Sequence, residues 1–332
     1  MAARKARDAR RARLAPRVLA LVVTAVFTVG ASAYASAPAP AHEDSPAPRS
    51  PSPFTGLTAR QGQVVAVKFD NARAARPHTG LDRADIVYVE KVEGGMSRLM
   101  GVYSSTVPPA VGPVRSARES DVELLRQFGR PVLAYSGVRT ALQKKLRDAP
   151  LYARPQGRFP GAYFRQSGRP APHDLFLRPQ ALLRSVPRTE PPADIGFRFG
   201  PAPTGGTPTR DRTVRYAAAS HSFRWSPGQH RWLVSFDGAP ARSTSGTRLG
   251  APTIVIQYVT MRASRFKDFK GAVTPYIETV GSGRALVLRD GRRYPTRWSR
   301  PTAAAGTTFT RAGGAPMPFA PGQVWVVYAD RG

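Results

Sequence analysis

"ADIVYVEKVEGGMSRLMGVYSS", residues 84–105, decides how the N-terminal half folds. Two β-branched and aromatic runs, 84–92 and 97–105, flank "EGGM", whose Gly94-Gly95 pair suits the positive φ of a tight turn, so the stretch predicts a β-hairpin. Upstream, "VVAVKFD" (64–70) is a third strand. Downstream the apolar period changes. "SARESDVELLRQFG" (116–129) places Val122, Leu124, Leu125 and Phe128 at helical spacing and stops on glycine. "PVLAYSG" (131–137) returns to strand, "VRTALQKKLRDA" (138–149) is a second helix, and "RPQALLRSV" (178–186) is a short third one. Alternation of this kind over 54–187 predicts a layered α/β unit with a mixed sheet.

The character changes after residues 188–212, a Pro-, Gly- and Thr-rich stretch that reads as a linker. From 213 to 332 short strands alternate with turn residues, and Asp237-Gly238 and Asp290-Gly291 are strong hairpin turns. The expected fold class is therefore α/β (α+β), an α/β N-terminal domain followed by a β-rich C-terminal one. With 332 residues, 41% of them hydrophobic, the chain can build one or two cores.

The N-terminus reads as an export signal. Seven bases and one acid precede an apolar run, "VLALVVTAVFTVG" (18–30), and the small-residue sites Ala31-Ser32-Ala33 and Ala35-Ser36-Ala37 follow. Cleavage after Ala37 is the expectation. Extended through Ala37 the segment also reaches the length of an anchor, so membrane attachment by residues 18–37 is the alternative. Residues 38–53, "PAPAHEDSPAPRSPSP", form a Pro/Ala/Ser linker. The chain has no cysteine, which excludes disulfides, thiol chemistry and a lipidated cysteine. Net charge is +29, carried largely by arginine. An Arg, Ala and Pro bias of this sort also follows from GC-rich codon usage, so charge alone does not specify a polyanion partner.

The polar residues of the first unit concentrate at strand ends and at the start of the first helix, where α/β folds place ligands. They are Asp70, Asn71, Arg76, Asp85, Glu90, Glu93, Arg98, Arg115, Ser116 and Arg118. One reading is an anion clamp of Arg115, Ser116 and Arg118, because guanidinium forks grip phosphate or carboxylate. The other has Ser116 capping the helix with Glu119 and the arginines paired internally with Glu90, Glu93 or Asp85. His173, beside Asp174, could serve general acid–base chemistry, and Asp70 with Glu90 or Glu93 could act as a hydrolase pair. No histidine spacing suits a metal and no nucleotide-binding loop occurs, so neither metal nor cofactor is implied. The second unit's tryptophans read as β-domain core rather than a sugar-binding face.

The run "FDNARAARPHTGLDRADIVYVEKVEGGMSRLMGVYSS", then "VGPVRSARESDVELL" and "APHDLF", resembles the YerB family of bacterial envelope proteins, and the C-terminal tail does so more loosely. The resemblance implies an α/β N-terminal and a β-rich C-terminal domain, marks the polar positions above together with Gly80, Gly94, Gly95 and His173, and implies no activity. His78 stands where that family has Gln, Asp174 where it has Asn. The expected function is an exported, envelope-associated protein binding an anionic polymer or lipid head group. Alternatives are a hydrolase or transferase acting on wall glycan or phosphodiester, and a protein–protein scaffold. Export argues against an intracellular nucleic-acid role.

Overall fold

A computed structural model describes residues 49–187, 192–267 and 271–331, so the expected export segment and most of the 38–53 linker lie outside the described residues. The strands that position the site are β1 (Val65–Asp70), β2 (Ile86–Lys91), β3 (Ser97–Tyr103), β4 (Val132–Tyr135) and β5 (Tyr152–Pro155). A small hairpin, β6 (Tyr163–Arg165) and β7 (Leu175–Leu177), follows. The helices are α1 (Glu119–Leu125), α2 (Thr140–Asp148) and α3 (Pro179–Leu183). The C-terminal part adds β8 (Asp211–Tyr216), β9 (Ala219–Ser226), β10 (Arg231–Phe236), β11 (Thr253–Val259), β12 (Met261–Lys267), β13 (Val273–Ile277), β14 (Gly281–Arg289), β15 (Arg292–Arg300), β16 (Thr308–Thr310) and β17 (Val324–Asp330). The result is α+β and strand-rich.

One sheet runs through both parts, in the order β15-β14-β11-β17-β2-β3-β1-β4-β5. Its join is β17, which pairs in parallel with β11 on one side and with β2 on the other, Trp325 facing Ile254 and Val87. β17 reads "VWVVYAD" and is buried through Ala329, as a central strand covered on both faces must be. The Pro/Gly-rich stretch read as a linker also packs inward: Ile195 and Phe197 are core residues. Arg49–Pro51, the end of the 38–53 segment, pairs with Thr58–Arg60.

Period-two alternation divides the core into two layers. Val65, Val67 and Phe69 of β1, with Val87 and Val89 of β2, face a layer completed by β6, β7, α3 and the separate sheet β8-β9-β10, which brings Phe223, Trp232 and Phe236. The opposite side chains, Ala66, Ile86, Tyr88, Met100 and Val102, face α1 and α2 through Val122, Leu125, Leu142 and Leu146. Trp232, Trp298 and Trp325 are all buried, which is the core role expected of them. Each fully buried aliphatic or aromatic side chain contributes roughly 1.5–3 kcal/mol.

The hairpin turns form as their residues dictate. Lys91 faces Ser97 across Gly94 (φ 64°) and Gly95 (φ 69°), while Asp237-Gly238 and Asp290-Gly291 both adopt positive φ. Helix α1 begins later than its serine suggests. Its N-cap is Arg118, whose N–H is accepted by Asp121 Oδ2 at 2.7 Å, and Ser116 caps nothing. The reason is that Arg115 and Ser116 remain extended: Arg115 N–H donates to the Lys68 carbonyl of β1 at 2.8 Å. Strand β12 carries too many bases to show an apolar period and forms through its pairing with β13.

Candidate functional site

The end of the sheet beneath α1 gathers the polar set. Arg98 on β3 is the cross-strand neighbour of Asp70 on β1 and of Glu90 on β2, so the three side chains share one face. The chain then brings Arg115, Ser116 and Arg118 over this face on its way into α1. From the distant C-terminal part, β12 and β13 add Phe266, Lys267 and Thr274.

Between these elements lies a cleft of about 460 Å³. Arg98, Arg115, Arg118 and Arg139 line it together with Ser116, Glu93 and Glu119. Its acids are already engaged. Arg118 grips Glu93 bidentately, Nε to Oε1 at 2.6 Å and Nη2 to Oε2 at 2.7 Å, and Thr274 donates to the same carboxylate. Burial pushes the Glu93 carboxyl up, but Arg118, Thr274 and a backbone hydrogen bond together hold its pKa below the ordinary value. Glu119 accepts from Lys145 Nζ and Ser264 Oγ, both at 2.6 Å.

Arg98 stands apart. It is 9% exposed, donates to the Ser116 carbonyl at 2.9 Å, and makes no ion pair among the described residues. Burial, reinforced by the Arg118 charge, lowers its pKa to about 9. A guanidinium in that position has several donors and surplus charge to offer an anion entering the cleft. The exposed Arg139 and Lys267 add charge at the rim. α1 has only seven residues, and the cleft's attraction for anions rests on these side chains rather than on a helix dipole.

A second cluster adjoins through Arg115. Asp70 Oδ2 lies 3.2 Å from Arg115 Nε and accepts from His173 Nδ1 at 2.9 Å, while Asp70 Oδ1 accepts from the Ala72 N–H at 3.1 Å. Burial pushes the Asp70 carboxyl up, but these three partners together bring it below its ordinary value. Asp174 turns away and pairs with Arg165 at 2.5 Å. His78 is buried, donates from Nε2 to the Asp70 carbonyl at 2.7 Å, and is kept neutral by burial, which lowers its pKa to about 4.

The remaining expected site residues are not in the cleft. Asn71 and Arg76 bond each other, and Arg76 Nη1 reaches Asp237 Oδ2 at 2.9 Å. A larger cavity, about 560 Å³, opens there between Pro77, Phe236 and Pro240; of the three arginines lining it, Arg76 is spent on Asn71 and Asp237, Arg242 donates to the Gly246 carbonyl at 2.8 Å, and Arg73 is exposed. Asp85 sits at the opposite end of β2 from Glu90, roughly 15 Å of strand away, where it accepts from the backbone N–H of Ser104 at 2.6 Å and of Ser105 at 2.9 Å. Glu90 is buried under the cleft, bonded to Lys68, which also donates to Asp121 at 3.0 Å. Glu90 Oε1 has no partner among the described residues, and burial, then the Asp121 charge, raises its pKa.

Lys68 and Asp121 were not legible as site residues. The signal was a lone lysine inside the apolar strand "VVAVKFD", which demands an internal carboxylate. Arg139, Phe266 and Thr274 left no comparable signal, because only the tertiary fold brings them to Arg98.

Residues 54–191 match the N-terminal domain, and residues 212–326 the C-terminal domain, of a family described as protein of unknown function DUF3048. The Bacillus subtilis (strain 168) protein named "Putative lipoprotein YerB" is 25% identical over 288 residues, 82% of this chain and 84% of that one. The crystal structure of YerB from Bacillus subtilis shares the fold with a TM-score of 0.73, at 22% identity, covering 84% of this chain and 96% of that one. Two adjacent domain matches in the right order, a relative matched along most of both lengths and a common fold agree: the chain belongs to the YerB-like DUF3048 family.

Proposed function

We propose that this is an exported, envelope-associated protein that binds an anionic, phosphate- or carboxylate-bearing envelope ligand in the arginine cleft. The observation that carries the reading is Arg98, a buried guanidinium facing the cleft and held by a single backbone carbonyl. Export and envelope residence are supported by the N-terminal segment of bases, apolar run and small residues, and by the lipoprotein name of its relative. This chain has no cysteine to carry a lipid, so its attachment rests on residues 18–37 or on the ligand itself. Among the described residues no helix is long and apolar enough to cross a membrane.

The test uses the full chain and calorimetric titration with inorganic phosphate and with purified phosphate-bearing wall polymer. Arg139→Ala removes an exposed rim charge and should weaken binding several-fold with an unchanged melting temperature. Arg98→Gln should abolish it. Binding of neither probe, or equal binding by both variants, overturns the proposal.

A second reading rests on His173. Asp70 accepts its Nδ1–H, an arrangement that orients an imidazole to exchange a proton at Nε2. A phosphodiester hydrolase would then lose turnover but keep ligand binding in His173→Gln. Absence of turnover by the unaltered protein on several phosphodiesters would dismiss this reading.

A further inference from the structure

The cleft is larger than a bare phosphate requires and falls within the range of pockets that take drug-sized ligands, about 300–1,000 Å³. Its walls are also of two kinds. The charged wall is formed by the Arg98, Arg118 and Arg115 side chains, each largely withdrawn from solvent. The apolar lining, Met96, Val138, Leu142 and Phe266, comes from three separate elements. Met96 is 48% exposed although it lines the cleft. It is one of the three large hydrophobic side chains left exposed among the described residues. A polymer of sugar phosphates would leave such surface unsatisfied. An apolar chain leaving the cleft would cover it.

Resting on the anion-binding reading above, we infer that the cleft's ligand is an amphiphile, a phosphate head joined to an alkyl or isoprenoid chain. The head sits against Arg98, with Arg115 beside it, and the first carbons of the chain lie along Phe266, Leu142 and Met96. Arg139 and Lys267, exposed at the rim, would meet the remaining negative charge of the head group or of its neighbours in an anionic bilayer.

The experiment is a series of monoalkyl phosphates, from methyl to octyl, titrated below their micelle concentrations into the full-length protein, with octanol as the uncharged control. Burial of each methylene strengthens binding up to about fourfold, so affinity should climb along the series and then level off where the chain leaves the wall. Met96→Ser combined with Phe266→Ser should reduce the octyl-to-methyl affinity ratio at least tenfold, whatever happens to the head-group affinity. Octyl phosphate should also release the protein from vesicles containing phosphatidic acid, and inorganic phosphate should do so far less well. A flat series with firm methyl phosphate binding overturns the amphiphile and leaves the anion site standing. No binding by any member overturns both. A steep series that the double variant leaves unchanged, or equally tight octanol, places the chain elsewhere and also overturns it.

Discussion

Arg118 and Glu93 lie 25 positions apart and meet through two parallel hydrogen bonds of 2.6 and 2.7 Å, with Glu93 almost wholly buried. This pair ties the hairpin turn between β2 and β3 to the cap of α1 and, through Thr274, to β13. Arg118→Ala strands a buried carboxylate, and breaking pairs of this kind costs about 3–5 kcal/mol. We expect a matching loss in urea unfolding. Arg118→Ala is thus a stability probe, whereas Arg139→Ala, at an exposed rim position, is a binding probe. Equal stability of the two variants would refute this division.

The Lys68–Glu90–Asp121 cluster gives a pH signature. Glu90 has a folded pKa raised above the ordinary 4.5, so between those two values the folded chain holds a proton the unfolded chain has released. The stability contributed by that proton is full below the unfolded pKa and is lost as pH rises through the folded one. Glu90→Gln mimics the protonated form and should flatten the decline measured by denaturant unfolding from pH 5 to 8. Lys68→Ala leaves the buried Asp121 carboxylate without its cation and should cost about 3–5 kcal/mol. A Glu90→Gln profile parallel to that of the unaltered protein would show that Glu90 is ionised in the fold.

Adjacent glycines in the hairpin turn separate backbone strain from crowding. Both have positive φ, but a Cβ at Gly94 would meet nothing closer than Met96 Cε at 3.9 Å, whereas one at Gly95 would fall 2.5 Å from the Ala217 Cβ. Gly94→Ala should cost about 1 kcal/mol of strain. Gly95→Ala adds the displacement of the turn against Ala217 and should cost about 2–4 kcal/mol. Thermal unfolding of the pair measures the difference, and equal losses would mean that the contact with residue 217 yields freely.

Arg76 and Asp237 connect the N-terminal part to the hairpin turn after β10 at 2.9 Å, with Arg76 also stacked over Phe236 at 4.8 Å. A double-mutant cycle of Arg76→Ala and Asp237→Asn should return a coupling of about 0.5–3 kcal/mol. Zero coupling would assign Arg76 to Asn71 alone.

Much of this arrangement was legible in the chain. Gly94-Gly95, Asp237-Gly238 and Asp290-Gly291 specify their turns because few other residues tolerate positive φ. The shift from period two to helical spacing after residue 116 located α1, although its start moved from Ser116 to Arg118 once Arg115 was claimed by β1. The arginines of 115–118 were identified as a polar centre, and both are paired internally, Arg118 with Glu93 and Arg115 with Asp70; the guanidinium without an ion pair among the described residues is Arg98, on β3. Asp85 was misplaced among them because alternation tells which face a residue takes but not which end of a strand its partners occupy.

Local chemistry, then, determines the elements: turns, apolar faces, the stop at Gly129 and the lone lysine that had to find a carboxylate. Only the tertiary structure decides that β17, near the end of the chain, enters between β11 and β2 and joins the two parts in one sheet. It alone sets Phe266 and Thr274 beside arginines some 150 positions earlier. The physical reason is that hydrogen-bonding strands and closing apolar layers are satisfied by any well-matched partner. The choice among partners is made by packing over the whole core, which no local stretch of sequence contains.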